Sequence, residues 1–156
     1  MQIEEKKIAD LDIREYFGKP LPFVKGRTPF PDILSRLCFH RENEIVLDYR
    51  CFQYVYSIQC EEVIIQHIMN VMIHLLKSQH TLLFHVNMSS ITLLHLEKYS
   101  SFIKRLSELL KTTFPDTLDT CFIYNAPFIF SSLFQLMSMI MDKKTLVKIK
   151  LIRDDN

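Results

Sequence analysis

Hydrophobic residues in this chain come in runs rather than in strict alternation, and the longest run organises the rest. No charge interrupts the sequence between Asp119 and Asp142, so the stretch Thr120–Met141 is long enough to cross a bilayer, which takes about 20 apolar residues. Asn125 and Pro127 divide it. CFIYN, residues 121–125, is aromatic and β-branched and reads as a buried strand. Pro127 suits the first turn of a helix, where its missing N–H costs nothing. The predicted helix over 127–141 carries Ser131, Gln135, Ser138 and Asp142 as a narrow polar stripe on an apolar cylinder. A strand feeding such a helix is an α/β feature. A membrane span is not expected, because polar atoms buried in lipid would lack partners.

The other segments follow by periodicity. Residues 3–17 predict a helix with Ile8, Leu11 and Tyr16 inward and Gly18 as its stop. GKPLPFVKGRTPFP, residues 18–31, predicts an extended segment that wraps the domain. Asp32 is the expected cap of a short helix through Leu37, and His40–Glu44 reads as a charged loop. EIVLDYRCFQYVYSI, residues 44–58, predicts one long strand or two short ones. Glu61 and Glu62 open a helix whose polar residues, Glu62, Gln66, Asn70 and His74, form one line, so burial over most of its circumference is expected. TLLFHVN, residues 81–87, is a strand. Residues 93–111 give a clear amphipathic helix with Leu96, Tyr99, Ile103, Leu106 and Leu110 on one face. A turn of helix from Asp142 and a strand at VKIKLI close the chain. Strands alternating with crossover-length helices predict an α/β fold with a mostly parallel sheet floor covered by helices.

Composition removes several function classes. The 156 residues suffice for one domain with a real core. Only Gly18 and Gly26 are glycines, which excludes glycine-rich phosphate loops and dinucleotide fingerprints. A net charge of +1 gives no basic footprint for nucleic acid, and none is expected as a partner. Cys38, Cys51, Cys60 and Cys121 are scattered without C-x-x-C spacing and read as reduced core thiols. MQIEEKKIADLDI mixes charges and has no apolar h-region, so a cytoplasmic location is expected. His67, His74, His85 and His95 have no acidic or cysteine partners at ligand spacing, so neither a metal nor another cofactor is expected. No G-x-S-x-G is present, and nothing positive points to an enzyme. Lys143, Lys144, Lys148 and Lys150 directly follow the most apolar helix. Complementing the helix dipole would explain some of them; an anionic head group beside an apolar wall would explain them as a group.

The segment from Phe114 to Ile152 resembles the CRAL-TRIO lipid-binding domain of retinaldehyde-binding and phosphatidylinositol-transfer proteins. The motifs are Phe114-Pro115-Asp116, Tyr124-Asn125-Ala126-Pro127, and Asp142-x-x-Thr145-x-x-Lys148-Ile149, with HVNMSSITLLHL resembling an earlier strand and loop in which Asn87 replaces an aspartate and Ser89 a glycine. The likeness covers roughly residues 45–152.

That resemblance implies a lipid held between the sheet and a gate helix at 127–141. It carries Asp116, Thr145 and Lys148 onto an inositol head-group site, and Phe128, Phe130, Leu133, Phe134, Leu136, Met137, Met139, Ile140 and Met141 onto the cavity wall or gate. Thr145 and Lys148, three apart, would share a helical face. The family's N-terminal helical bundle does not fit here, so a reduced form is expected: a helix and proline-rich segment at 1–43, then the lipid-binding domain at 44–156. The implied partners are a phospholipid or other hydrophobic ligand and, transiently, a membrane surface, with peripheral contact there. The alternative is an interaction module on the same scaffold, with the apolar helix forming a homodimer or partner surface and no bound lipid. A sulfate-transporter/anti-sigma-antagonist domain would need a phosphorylatable serine at a helix start, for which Ser89 and Ser90 are the candidates.

Overall fold

The computed structural model describes residues 13–126 and 130–152, without the side chains of Ile58, Phe130, Ser132, Leu133, Leu136 and Ile140. Helix α1 covers residues 13–18; the expected helix from Ile3 lies otherwise outside the described residues. The elements that follow are α2 (Phe30–Leu37), β1 (Cys38–Arg41), β2 (Glu44–Asp48), α3 (Tyr49–Val55), a 3-10 turn at Ile58–Cys60, α4 (Glu61–Leu76), β3 (Leu82–Asn87), α5 (Leu93–Thr113), β4 (Leu118–Tyr124), α6 (Phe130–Ile140), α7 (Lys143–Leu146) and β5 (Ile149–Ile152). The strands form one five-stranded sheet in the order β1-β2-β3-β4-β5, antiparallel between β1 and β2 and parallel from β2 to β5. The expected mostly parallel α/β sheet is what forms.

Several local expectations are corrected. The segment 44–58 is a strand followed by a helix, not strand throughout. Asp48 ends β2 and its side chain accepts from the Arg50 backbone N–H, a cap worth about 1 kcal/mol. Beyond it Cys51, Phe52 and Val55 are buried at helical spacing, so packing overrides their β propensity. His40 and Arg41 belong to strand β1 rather than to a loop. Arg41 pairs with Glu44, leaving a two-residue turn with Glu42 at a φ of 53°. The expected domain boundary between 43 and 44 falls in this hairpin. An edge strand tolerates the charges of this segment because one side stays in water. Asp32 sits in the first turn of α2 but caps nothing, since the helix already begins at Phe30 behind Pro29. Helix α4 is buried along one face only, through Ile64, Ile65, Ile68, Met72 and Leu75, while Val63 and Ile73 are exposed. On α5 the buried residues are Leu96, Tyr99 and Phe102; Ile103, Leu106 and Leu110 are half-buried.

The sheet separates two environments. Ile45, Leu82 and Phe84 on one face pack with Ile33, Phe52, Ile64, Ile68, Tyr99 and their neighbours from α2 to α5. Further along that face Ile123 meets Ile91, Leu96 and Met137. The opposite face, bearing Val46 and Tyr124, is covered by Ile13 and Phe17 of α1. Residues paired across strands share a face, so His85 and Phe122 lie on the α1 side with Val46. Arg105 of α5 pairs with Glu61 and Glu62, tying α5 to the start of α4.

Candidate functional site

Helix α6 leaves the C-terminal end of β4 through Asn125, a non-glycine residue at a φ of 56°. Met137 is its inward anchor, 5% exposed, against Ile91, Leu96 and Ile123, with Met141 packed alongside. Phe134 and Met139 face outward, Met139 with 81% of its surface exposed. Of the other residues expected in the gate, Phe128 lies outside the described residues, as do the side chains of Phe130, Leu133, Leu136 and Ile140. Among the described side chains of α6, Met137 is the buried one.

The residues expected to meet a head group lie at the other end of α6, beside the starts of β4 and β5. Asp142 caps α7 by accepting from the Thr145 N–H at 2.8 Å. Asp116, at a φ of 58°, is bonded to Lys144, whose Nζ donates to Oδ1 at 2.6 Å. Lys148 Nζ donates to the Leu118 carbonyl at 2.8 Å. Lys111 of α5 lies 3.5 Å from Asp142. The fold thus gathers Asp116, Lys144, Thr145 and Lys148 around α7, but pairs Asp116 with Lys144. Hydrogen bonding from Lys144, reinforced by its charge, holds the Asp116 carboxyl below its ordinary range, and the same bond raises Lys144. Asp142 is lowered chiefly by the Thr145 side chain and backbone. Asp116 and Lys144 are both well exposed, so their pair is screened by water.

The C-terminal strand ends carry a polar network that sequence reasoning did not single out. Asp48 and Asn87 are 1% and 0% exposed. Arg50 clasps Asp48 through Nε and one terminal nitrogen and donates its other terminal nitrogen to the Lys19 carbonyl at 2.6 Å. Asn87 joins Asp48 to Asn125. On the same face His85 is buried between Glu44, 2.9 Å from Nε2, and the Tyr124 hydroxyl, 2.7 Å from Nδ1. On the helix side the Tyr49 hydroxyl lies 2.6 Å from His95 Nδ1, and burial pushes the Tyr49 pKa up. The two remaining histidines named in the sequence have separate neighbours. His67 Nε2 bonds the Cys38 carbonyl, and His74 packs on His40. Among the described residues no three His, Cys, Asp or Glu side chains converge on a metal-sized site. Asp48 two residues before Arg50 and polar residues ending apolar runs were the available signals; the pairing of Asp48 with Asn87 across 39 residues was not.

A family model, that of the CRAL/TRIO domain, matches residues 33–156, most of the chain. The chain belongs to the CRAL/TRIO family. Members of that family are generally lipid-binding carriers. The crystal structure of Sfh5 is similar in fold, with a TM-score of 0.66 at 12% identity over 81% of this chain. The match takes in 50% of the Sfh5 chain, so this protein spans half that length. A comparison with curated proteins found no match. Among the described residues no helix is long and apolar enough to cross a membrane.

Proposed function

We propose that this CRAL/TRIO domain is a non-enzymatic lipid-binding or lipid-transfer module for a phospholipid, with phosphoinositide as the favoured class and α6 as its gate. The observation that carries the proposal is the lopsided packing of α6: Met137 is buried over Ile123 while Phe134 and Met139 are exposed on the same helix. Behind Met137 lies the sheet face lined by Ile123, Ile149 and Leu151, which an opening of α6 would uncover. Lys148 supplies a cation for a head-group phosphate, with Asp116 beside it and Thr145 donating its hydroxyl once it turns from Asp142. The outward Phe134 and Met139, near Lys143 and Lys144, suit brief contact with an anionic membrane surface in peripheral fashion. Residues 44–156 carry these parts, and a cytoplasmic setting fits them.

The test is lipid extraction of the purified protein followed by mass spectrometry, with flotation on phosphoinositide vesicles. Recovered phospholipid supports the proposal; protein that is consistently empty and ignores such vesicles overturns it. The 81% exposure of Met139 also suits a helix that pairs with a second copy. A stable dimer in sedimentation, dissolved by Phe134→Asp and free of lipid, would establish that homodimer reading instead.

A further inference from the structure

His40 and His74 meet across the seam between strand β1 and helix α4. In the β1–β2 ladder His40 is paired with Ile45, which packs into the core beneath the helices, so His40 points to that same side of the sheet. There it meets the last turn of α4, where His74 stands about two turns beyond His67. His67 already fastens this side of α4 to β1 by reaching the Cys38 carbonyl at 2.8 Å. The His40 and His74 rings lie with centroids 5.1 Å apart and planes inclined at 40°. Both residues are exposed. Their ring nitrogens are available to a ligand. His40 Nδ1 is 3.4 Å from the Glu42 carbonyl, and a carbonyl only accepts, so the proton sits on Nδ1 and the lone pair on Nε2. Ligating histidines are ordinarily held in this manner, through a bond from the other ring nitrogen to a carbonyl or carboxylate. His74 makes no hydrogen bond among the described residues, and its contact is the His40 ring.

The separation of the rings suits a shared ion. With metal–nitrogen bonds of about 2.0–2.1 Å the ion lies about 3.2 Å from each ring centroid, so two imidazoles at square to tetrahedral angles stand about 4.5–5.2 Å apart. The last turn of a helix also presents its carbonyl ends, a field that favours a cation. We propose that His40 and His74 form a two-ligand site for a divalent transition-metal ion of the nickel or zinc kind. No third His, Cys, Asp or Glu joins them among the described residues, so water fills the remaining positions. An all-imidazole pair selects against magnesium and calcium, which take oxygen ligands. Bound there, the ion staples the edge strand β1 to α4. The site is separate from α6 and the α7 corner and stands whatever lipid the domain holds.

Titration of the intact chain with Ni²⁺, and separately with Zn²⁺, tests the site by calorimetry and by the imidazole proton signals. One equivalent should bind, shifting the signals of His40 and His74 and not those of His80, an exposed histidine in the bend after α4. His40→Gln and His74→Gln should each weaken binding by about tenfold or more, because a single imidazole loses the advantage of two ligands held at one place. Both positions are exposed, so these variants should fold as the parent does. His80→Gln should leave the affinity unchanged, and Mg²⁺ over the same range should give no signal. Saturating Ni²⁺ should raise the urea midpoint of the parent and leave that of His74→Gln where it was. Undiminished binding in His40→Gln and His74→Gln overturns the proposal. So does an equal loss in His80→Gln, or a parent that shows no one-equivalent binding event.

Discussion

Lys148 stands with its ammonium 2.8 Å from the carbonyl of Leu118, so the cation assigned to a head group is fastened to the start of β4. An ammonium has three donors, and this bond leaves two for a phosphate. The tether fixes a flexible side chain before any ligand arrives, which lowers the ordering cost on binding. Lys143 has no such anchor among the described contacts, and Lys144 is engaged with Asp116. Lys148→Ala should therefore weaken binding to phosphoinositide vesicles by about tenfold, the scale of one charge-assisted hydrogen bond, while Lys143→Ala changes it less than about twofold. Equal losses in both variants would mean that only net charge matters and Lys148 holds no particular phosphate.

What was legible in the sequence was what depends on neighbours along the chain. Non-alternating apolar strands such as LLFHV announced a sheet buried on both sides, and the 3.6-residue spacing from Leu96 through Tyr99 announced α5. The motif around Asn125 and the Thr145–Lys148 spacing carried the family. Residues 49–55 were misread because aromatic content favours a strand locally, whereas the Asp48 cap and the buried Cys51–Val55 face select a helix. The pairing of Asp116 with Lys144 joins residues 28 apart in the segments leading into β4 and β5, and Asn87 meets Asp48 from 39 apart through the register of β2 and β3. Periodicity carries no information about such pairs. Asn87 entered the sequence comparison only as a departure from an aspartate, and the fold shows a carboxylate supplied next door by Asp48.

Acid should loosen the α7 corner through a defined pair of groups. Asp116 and Asp142 both lie below the ordinary aspartate value of 3.8 in the folded chain, Asp116 because of Lys144 and Asp142 because of Thr145. Depressed folded values mean that the stabilisation is present above the unfolded aspartate value and is lost as pH falls through the folded one. NMR titration should thus find both carboxyls still ionised where free aspartate is half protonated. Lys144→Ala should return Asp116 toward 3.8 and leave Asp142 depressed. Added salt should shrink the Asp116 shift, since the pair is exposed. An Asp116 that titrates at or above the free value would remove the ion pair from the solution structure.

Thiol labelling should report the core. All four cysteines are free, and burial pushes the pKa of Cys38, Cys51 and Cys121 up to about 12. At pH 8 these three carry almost no thiolate, the reactive form. Cys60, at the start of α4, and Cys121 in β4 are both half-buried, and of the two Cys121 is held as the unreactive thiol by burial. One equivalent of alkylating reagent should be taken up quickly by native protein, mapping to Cys60, and the other three only after denaturation. Rapid native labelling of Cys38 or Cys51 would show that the sheet-to-helix core opens far more readily than its packing implies.

His85 offers a way to separate packing from hydrogen bonding on the α1 face. The ring is stacked on Phe122 at 5.4 Å and 1% of the residue is exposed, while its two nitrogens reach Glu44 and Tyr124. Phenylalanine keeps the flat ring and the stack but has no nitrogen, so Glu44 loses its partner at the sheet surface. His85→Phe should cost about 1–3 kcal/mol, the penalty for a partly buried polar group left without its bond. His85→Ala removes the ring as well, leaving a void beneath α1 between Val46 and Phe122, and should cost about 3–5 kcal/mol. Urea unfolding at neutral pH reads both. If the two variants lose equally, ring packing contributes nothing measurable and the hydrogen bonds alone hold this face. If His85→Phe is neutral, the bonds to Glu44 and Tyr124 do not outlast competition from water.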